Sequence, residues 1–255
     1  MTPDPRHRDS GVRWARYWDS QDDFCETLCS LNARIFIDRA AGPLALSPSD
    51  RVLDLGCGTG HVAALVAPLV DCVHAVDTGP NNLALASRNL RDHPKAVVHP
   101  PLSPGFIDLD QLGIGPVDVI LFQSVLQYLG DMVSVIRALE VAARVAAPGA
   151  RLLASDLPTS TGLGHSAVCQ FSAGLAHGCG HRVARYFLRA RLGDYWRIRR
   201  DAGVVTFGRK DLFDLAGGVK ARAEILDRRL TINGGRLHLL ATFPKGHPGS
   251  KAAAE

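Results

Sequence analysis

Apolar positions recur with two different periods along this chain. Over residues 14–41 the large apolar side chains stand at helical spacing (Trp14, Trp18, Phe24, Leu28, Leu31, Ile35). That spacing predicts two helices, ended by Gly42 and Pro43. Short apolar runs follow at 51–55, 72–76, 97–98, 117–122 and 151–154, each too short for a helix. Helical spacing returns between them, at 61–69, 82–90 and 131–145. Strands alternating with helices predict right-handed crossovers and a parallel sheet with helices on both faces. The alternation stops at residues 157–208, which hold Gly162, Gly164, Gly174, Gly178 and Gly180 and then many arginines. A short helix at 210–216 and apolar runs at 223–232 and 236–243 come next, with Asn233-Gly234-Gly235 between the runs. That tripeptide is a hairpin signal and predicts antiparallel closing strands.

The first strand runs into Gly56-Cys57-Gly58-Thr59-Gly60, and a helix follows. Glycines at such a turn let the backbone bend tightly and approach a ligand, and the helix start adds oriented N–H donors. A tight strand-to-helix turn explains the glycines equally well, so the neighbours decide. Asp54 lies inside the strand end, where an unpaired charge is costly, so it should meet loop N–H groups or a cationic ligand group. Asp77 closes the second strand, where an acid can accept both hydroxyls of a ribose. His61 stands where a diphosphate loop has its third glycine, and no Lys-Ser or Lys-Thr follows. The loop therefore suits a nucleoside ligand without a diphosphate.

Val52-Leu-Asp-Leu-Gly-Cys-Gly-Thr-Gly60 resembles the first motif of the class I S-adenosylmethionine-dependent methyltransferases. Val76-Asp77 resembles their second-strand acid, residues 118–131 their fourth strand and the turn after it, and residues 147–153 their Pro-Gly turn into the fifth strand. The resemblance implies a Rossmann-like seven-stranded mixed sheet, parallel with an antiparallel last strand and helices on both faces. It implies S-adenosyl-L-methionine as cofactor. Gly56, Cys57 and Gly58 would pass under its methionine part, Asp54 would sit near its ammonium, and Asp77 would hold the ribose. Thr78 and Asn82 would lie near the adenine edge, Gln123 would face the methionine end, and Trp18 would cover the cofactor or simply pack on a helix. The family often has an acid just after the third strand. Here that stretch is His99-Pro-Pro-Leu-Ser-Pro104, with Asp108 and Asp110 later, so the adenine contact is left to backbone atoms.

Methyl transfer is an in-line displacement helped mainly by positioning, and a base is needed only when the acceptor must lose a proton. The cofactor motifs therefore name the reaction and not the acceptor. Gln127 and Tyr128 follow the fourth strand, where the family often lines the acceptor pocket. His165, His177 and His181 lie in the glycine-rich stretch, and a histidine suits a general base. We take His165, His181 and Tyr128 as catalytic candidates and Gln127, Arg185 and Arg189 as acceptor contacts. A surface loop explains the histidines equally well. His177-x-Cys179-x-His181 lacks a second cluster, so no metal is expected.

Composition sharpens this reading. The chain has 255 residues, 46% of them hydrophobic, which is globular and rules out wholesale disorder. Six cysteines in this length are not a disulfide scaffold, and the polar start shows no signal peptide. A reducing cytoplasm and no membrane span are the expectation. The net charge of +4 is unevenly spread: residues 182–200 carry seven arginines and one acid, so the rest of the chain sums to −2. Arg182, Arg185 and Arg189 at helical spacing suggest an amphipathic cap helix over an anionic acceptor, or a solvated face, or a homodimer contact. The organisation expected is a helical segment at 1–41, a cofactor-binding core at 42–156 and 209–244, a cap insert at 157–208 and a disordered tail at 245–255. The function expected is O- or N-methylation of a small molecule. The rivals are a tRNA or rRNA methyltransferase, against which stands the absence of an appended RNA-binding module, and a protein of this fold that binds the cofactor without transferring methyl.

Overall fold

The computed structural model describes residues 9–20, 23–160, 163–178, 180–181, 183–185, 188 and 194–246. Two N-terminal helices, α1 (Ser10–Asp19) and α2 (Asp23–Leu44), precede β1 (Arg51–Leu55). Then come α3 (His61–Val66), β2 (Cys72–Val76), α4 (Pro80–Asn89), β3 (Ala96–Val98), β4 (Val117–Gln123), α5 (Met132–Arg144) and β5 (Ala146–Pro158). The remaining elements are α6 (Leu163–Ala176), α7 (Asp194–Ala202), α8 (Arg209–Gly218), β6 (Arg222–Ile225) and β7 (Arg236–Thr242).

The seven strands form one sheet in the order β3-β2-β1-β4-β5-β7-β6. The first five are mutually parallel, and β7 runs antiparallel to both β5 and β6. This is the mixed seven-stranded sheet expected from the sequence. Successive residues of the central strands point to opposite faces, so the near-continuous apolar runs of β1 and β4 supply two cores. Leu53, Ile120 and Phe122 pack with Val135 and Leu139 of α5 and Leu212 of α8. Val52, Val119 and Leu121 pack with Phe36, Ala40 and Leu44 of α2 and Val62 and Val66 of α3. Burying each large side chain contributes roughly 2 kcal/mol, which is why these strands read as nearly continuous apolar runs.

Two elements differ from their sequence expectation. The helix expected to stop at Gly42 and Pro43 continues to Leu44, whose fully buried side chain joins the second core. The closing strands are not a tight hairpin. Ile225 already pairs with Leu239, and residues 226–235 leave the sheet as a long excursion. Leu230 and Ile232 are buried there, and Thr231 and Asn233 hydrogen-bond Asp156 at the end of β5. Burial and a distant carboxylate thus outweigh the local turn preference of Asn-Gly-Gly. Part of the glycine-rich stretch is the regular helix α6, while Arg182 and Arg189 of the expected cap helix lie outside the described residues, as does the tail beyond residue 246. Among the described residues, no helix is long and apolar enough to cross a membrane.

Candidate active site

A cavity of about 870 Å³ opens along the carboxyl ends of the parallel strands. Open α/β sheets bind ligands at this edge, because the loops diverge there. One end of the cavity is the glycine loop. Gly56, Gly58 and Gly60 all have positive φ, at 78°, 54° and 83°. Gly56 also has no room for a side chain, since a Cβ would lie 2.5 Å from Val125. A Cβ on Gly58 would meet nothing within 4 Å, so that glycine faces open space in the cavity.

Two buried acids support this loop. Asp77 accepts from the Gly58 N–H at 2.9 Å and the Gly79 N–H at 2.8 Å, and Asn82 lies 3.5 Å away. Burial pushes its carboxyl above the ordinary range, against those hydrogen bonds. Asp54 is fully buried, and burial with the nearby Asp77 charge raises its pKa to about 7. Among the described residues its Oδ2 has no hydrogen-bond partner. A lone buried oxygen of this kind calls for a cationic or protic ligand group. The same surroundings push the buried Cys57 thiol well above its usual range, chiefly by desolvation.

Helix α1 lies over the mouth, tied at both ends. At one end Asp19 accepts from the Asn82 N–H at 3.0 Å and the Asn81 amide at 3.1 Å, capping the start of α4 in place of Gly79, which has no capping side chain. At the other end Trp14 donates to the Gly203 carbonyl at 2.7 Å, and Ser10 to that of Ala202. Trp18 thereby reaches the cavity with its ring 5.1 Å from that of Tyr128, and its buried Nε1 has no partner among the described residues. On the far wall Glu26 of α2 accepts from Thr59 at 3.0 Å and faces His61 at 2.7 Å, fastening α2 to the glycine loop.

The structure brings Trp18, Gly56, Cys57, Gly58, Asp77, Thr78, Asn82, Gln123 and Tyr128 onto one cavity wall, with Asp54 buried in the strand beneath. The other sequence candidates stand elsewhere. Gln127 is buried behind the wall and accepts from the Val205 N–H through its backbone carbonyl. His181 and Arg185 are exposed positions that do not line the cavity. His165 falls in the first turn of α6 with its side chain not described, and Arg189 is outside the described residues. Among the described residues, no group of three metal-ligating side chains could hold a metal ion.

Sequence reasoning missed two parts of the wall. Residues 103–107 cover the ground beside Asp77, whose carbonyl accepts from the Leu102 N–H at 3.0 Å. Asp108 holds this turn by accepting from Ser103, so it is a loop former, and Asp110 pairs with Arg144. The opposite end is a polar cluster of Ser124, Asp156, Gln170, Asn233 and Arg236. The signal that could have found it is Asp156 itself, a charge ending an apolar strand just as Asp54 does in β1.

A family model for a methyltransferase domain matches residues 53–152. No curated protein matches the chain by sequence. Solved structures share its fold. N-methyltransferase NodS from Bradyrhizobium japonicum WM9, in complex with S-adenosyl-L-homocysteine, is 16% identical with a TM-score of 0.55, over 92% of this chain and 100% of that one. Magnesium protoporphyrin IX methyltransferase from Synechocystis PCC 6803, with bound S-adenosylmethionine, is 16% identical with a TM-score of 0.57, over 92% and 97%. An O-methyltransferase family protein from Burkholderia thailandensis is 14% identical with a TM-score of 0.55, over 82% of this chain and 58% of that one. The chain thus spans little more than half of that last relative's length.

Proposed function

We propose that this chain, which matches a methyltransferase domain model over residues 53–152 and shares the fold of solved methyltransferases, is a class I S-adenosylmethionine-dependent methyltransferase that methylates oxygen or nitrogen of a small-molecule acceptor. The observation that carries the reading is the continuity of one cavity, from the glycine loop and Asp77 to Ser124 and Asp156. Its volume of about 870 Å³ is in the range of small-molecule sites and leaves room for an acceptor beside a nucleoside cofactor.

The residues present fit the cofactor. Asp54 Oδ2 and Trp18 Nε1, which have no partner among the described residues, and the open space over Gly58 are what a ligand with an ammonium, polar atoms and a chain passing the loop would complete. Asp77 and Asn82 would hold the ribose, residues 103–107 the adenine, and Gln123 the methionine end. When bound, S-adenosylmethionine supplies a methyl group on a sulfonium, ready for in-line displacement. The chain's own part is to orient and to exclude water: α1 closes the mouth with Trp18, and Tyr128 and Tyr195 wall the acceptor side.

Calorimetric titration with S-adenosylhomocysteine, followed by its formation from S-adenosylmethionine across a panel of small hydroxy and amino acceptors, tests the reading. Saturable binding with turnover supports it. Binding without turnover on any acceptor favours a cofactor-binding protein that transfers no methyl. A gel shift with bulk tRNA that persists at physiological salt favours the RNA rival. Absence of binding removes the cofactor assignment altogether.

A further inference from the structure

Two non-glycine residues at adjacent strand ends are held in the left-handed region: Ser124 after β4, with φ 59°, and Asp156 in β5, with φ 67°. Such conformations cost of order 1 kcal/mol or more and persist only where the surroundings enforce them. Here they turn two side chains toward each other across paired strands, with the Ser124 N–H donating to the Ser155 carbonyl at 3.1 Å. The Ser124 hydroxyl donates to Asp156 Oδ2 in a short contact and accepts from the Gln123 amide at 3.0 Å. Both Ser124 and Asp156 line the cavity beside Gln123.

Asp156 is 3% exposed and well supplied with donors. It accepts from Thr231 at 2.8 Å and from the Asn233 amide at 2.9 and 2.7 Å, with Arg236 Nε at 3.7 Å. The other titratable neighbour is His238, which accepts from the Asp156 N–H at 3.2 Å. Gln170 of α6 donates to Asn233 Oδ1, so the cap is tied to the same cluster. This much organisation around one carboxylate, at the wall where the acceptor enters, exceeds what packing a strand end requires.

We propose that Ser124 and Asp156 form a proton relay for an acceptor bearing a hydroxyl group. This rests on the methyltransferase reading and adds the acceptor's chemistry to it. The acceptor O–H donates to Ser124 Oγ, whose own proton is already directed at Asp156. As the bond from acceptor oxygen to methyl carbon forms, the carbon–sulfur bond breaks and its electron pair stays on sulfur. The acceptor proton passes to Ser124 Oγ, the Ser124 proton passes to Asp156, and Asp156 later releases it to water. The proton is readily given up, because an oxygen gaining a methyl group becomes strongly acidic as the bond forms. Ser124 is then the catalytic residue, and Asp156 positions and drains it.

The test uses the full chain with S-adenosylhomocysteine and 4-nitrophenol, whose colour reports whether its hydroxyl is ionised. A relay that accepts a hydrogen bond favours the neutral phenol, so the bound probe should ionise at higher pH than the free one. Ser124→Gly suits the positive φ and removes the hydroxymethyl side chain; it should abolish that shift while leaving S-adenosylhomocysteine titration unchanged. Asp156→Asn should do the same. With S-adenosylmethionine and phenol, both variants should lower kcat about a hundredfold, the usual worth of a positioned proton acceptor. A wild-type protein that leaves the probe unshifted or unbound, or a Ser124→Gly variant that keeps both shift and kcat, overturns the proposal. Failure of the wild type to bind S-adenosylhomocysteine overturns the cofactor reading instead.

Discussion

The two ends of the cavity are built from different material. At one end, loops shaped by their own local conformation line the cavity: the glycine loop, which follows β1 directly, and residues 103–107, which come shortly after β3. The glycine loop has three positive φ angles in five residues. At the other end, side chains are tied to one another in a network. Ser124, Asp156, Thr231, Asn233 and Gln170 come from segments up to 109 residues apart and are joined by hydrogen bonds. A backbone surface should be intolerant of an added Cβ, and a side-chain network intolerant of a lost partner.

The sharpest test of that contrast is Gly56→Ala. The new Cβ meets Val125 at 2.5 Å, on a backbone with φ at 78°. Left-handed strain and overpacking together should lower stability by about 3 kcal/mol in urea unfolding. A loss below about 1 kcal/mol would mean the loop relaxes freely and is not a rigid surface. At the other end, Asn233→Ala leaves Asp156 and Gln170 short of partners. It should cost about 2 kcal/mol while leaving S-adenosylhomocysteine affinity unchanged. A parallel drop in cofactor affinity would show that the two ends are one cooperative unit.

The same contrast explains what could be read from the sequence. A backbone site announces itself locally: Asp54, the glycines and Asp77 are spaced by the strand-loop-helix geometry that uses them, so their roles follow from neighbours within about 25 residues. The sheet was legible for the same reason, since each apolar run is one strand. A network of single side chains has no such spacing. Nothing near Asn233 points to Asp156, and Asn-Gly-Gly pointed instead to a tight turn, whereas the antiparallel strands β6 and β7 are joined by the longer excursion 226–235. Gln127 was misplaced because residues 126–128 form one turn of 3-10 helix, in which neighbouring side chains diverge: Tyr128 lines the cavity and Gln127 is buried.

Within the cofactor end, Asp77→Ala should cut S-adenosylhomocysteine affinity roughly tenfold or more, the loss of one or two hydrogen bonds. Unchanged affinity by calorimetry would remove the ribose assignment. Asp54 should make the same titration pH-dependent. Its folded pKa near 7 lies above the ordinary value, so the free protein binds more protons than the unfolded chain between about pH 4 and 7 and loses stability as pH rises through that window. A ligand ammonium favours the ionised form, so affinity should rise about tenfold from pH 6 to pH 8 and then level off. Asp54→Asn should flatten both slopes. A wild-type profile flat over that range would separate Asp54 from the ammonium.

The smallest expected effect lies in the cap. Arg185 stands exposed and off the cavity wall, where the sequence alone made it an acceptor contact. Arg236 is on the wall with Asp156 behind it. Charge density in a sequence reports where solvent is met as readily as where a ligand is met, and surface charges contribute little through high-dielectric water. Arg185→Ala should therefore leave the acceptor's KM within about twofold of wild type, a difference of under 0.5 kcal/mol. Arg236→Ala should raise it clearly more. Equal increases from the two variants would mean that the cap closes over the acceptor and brings its arginines to the same site.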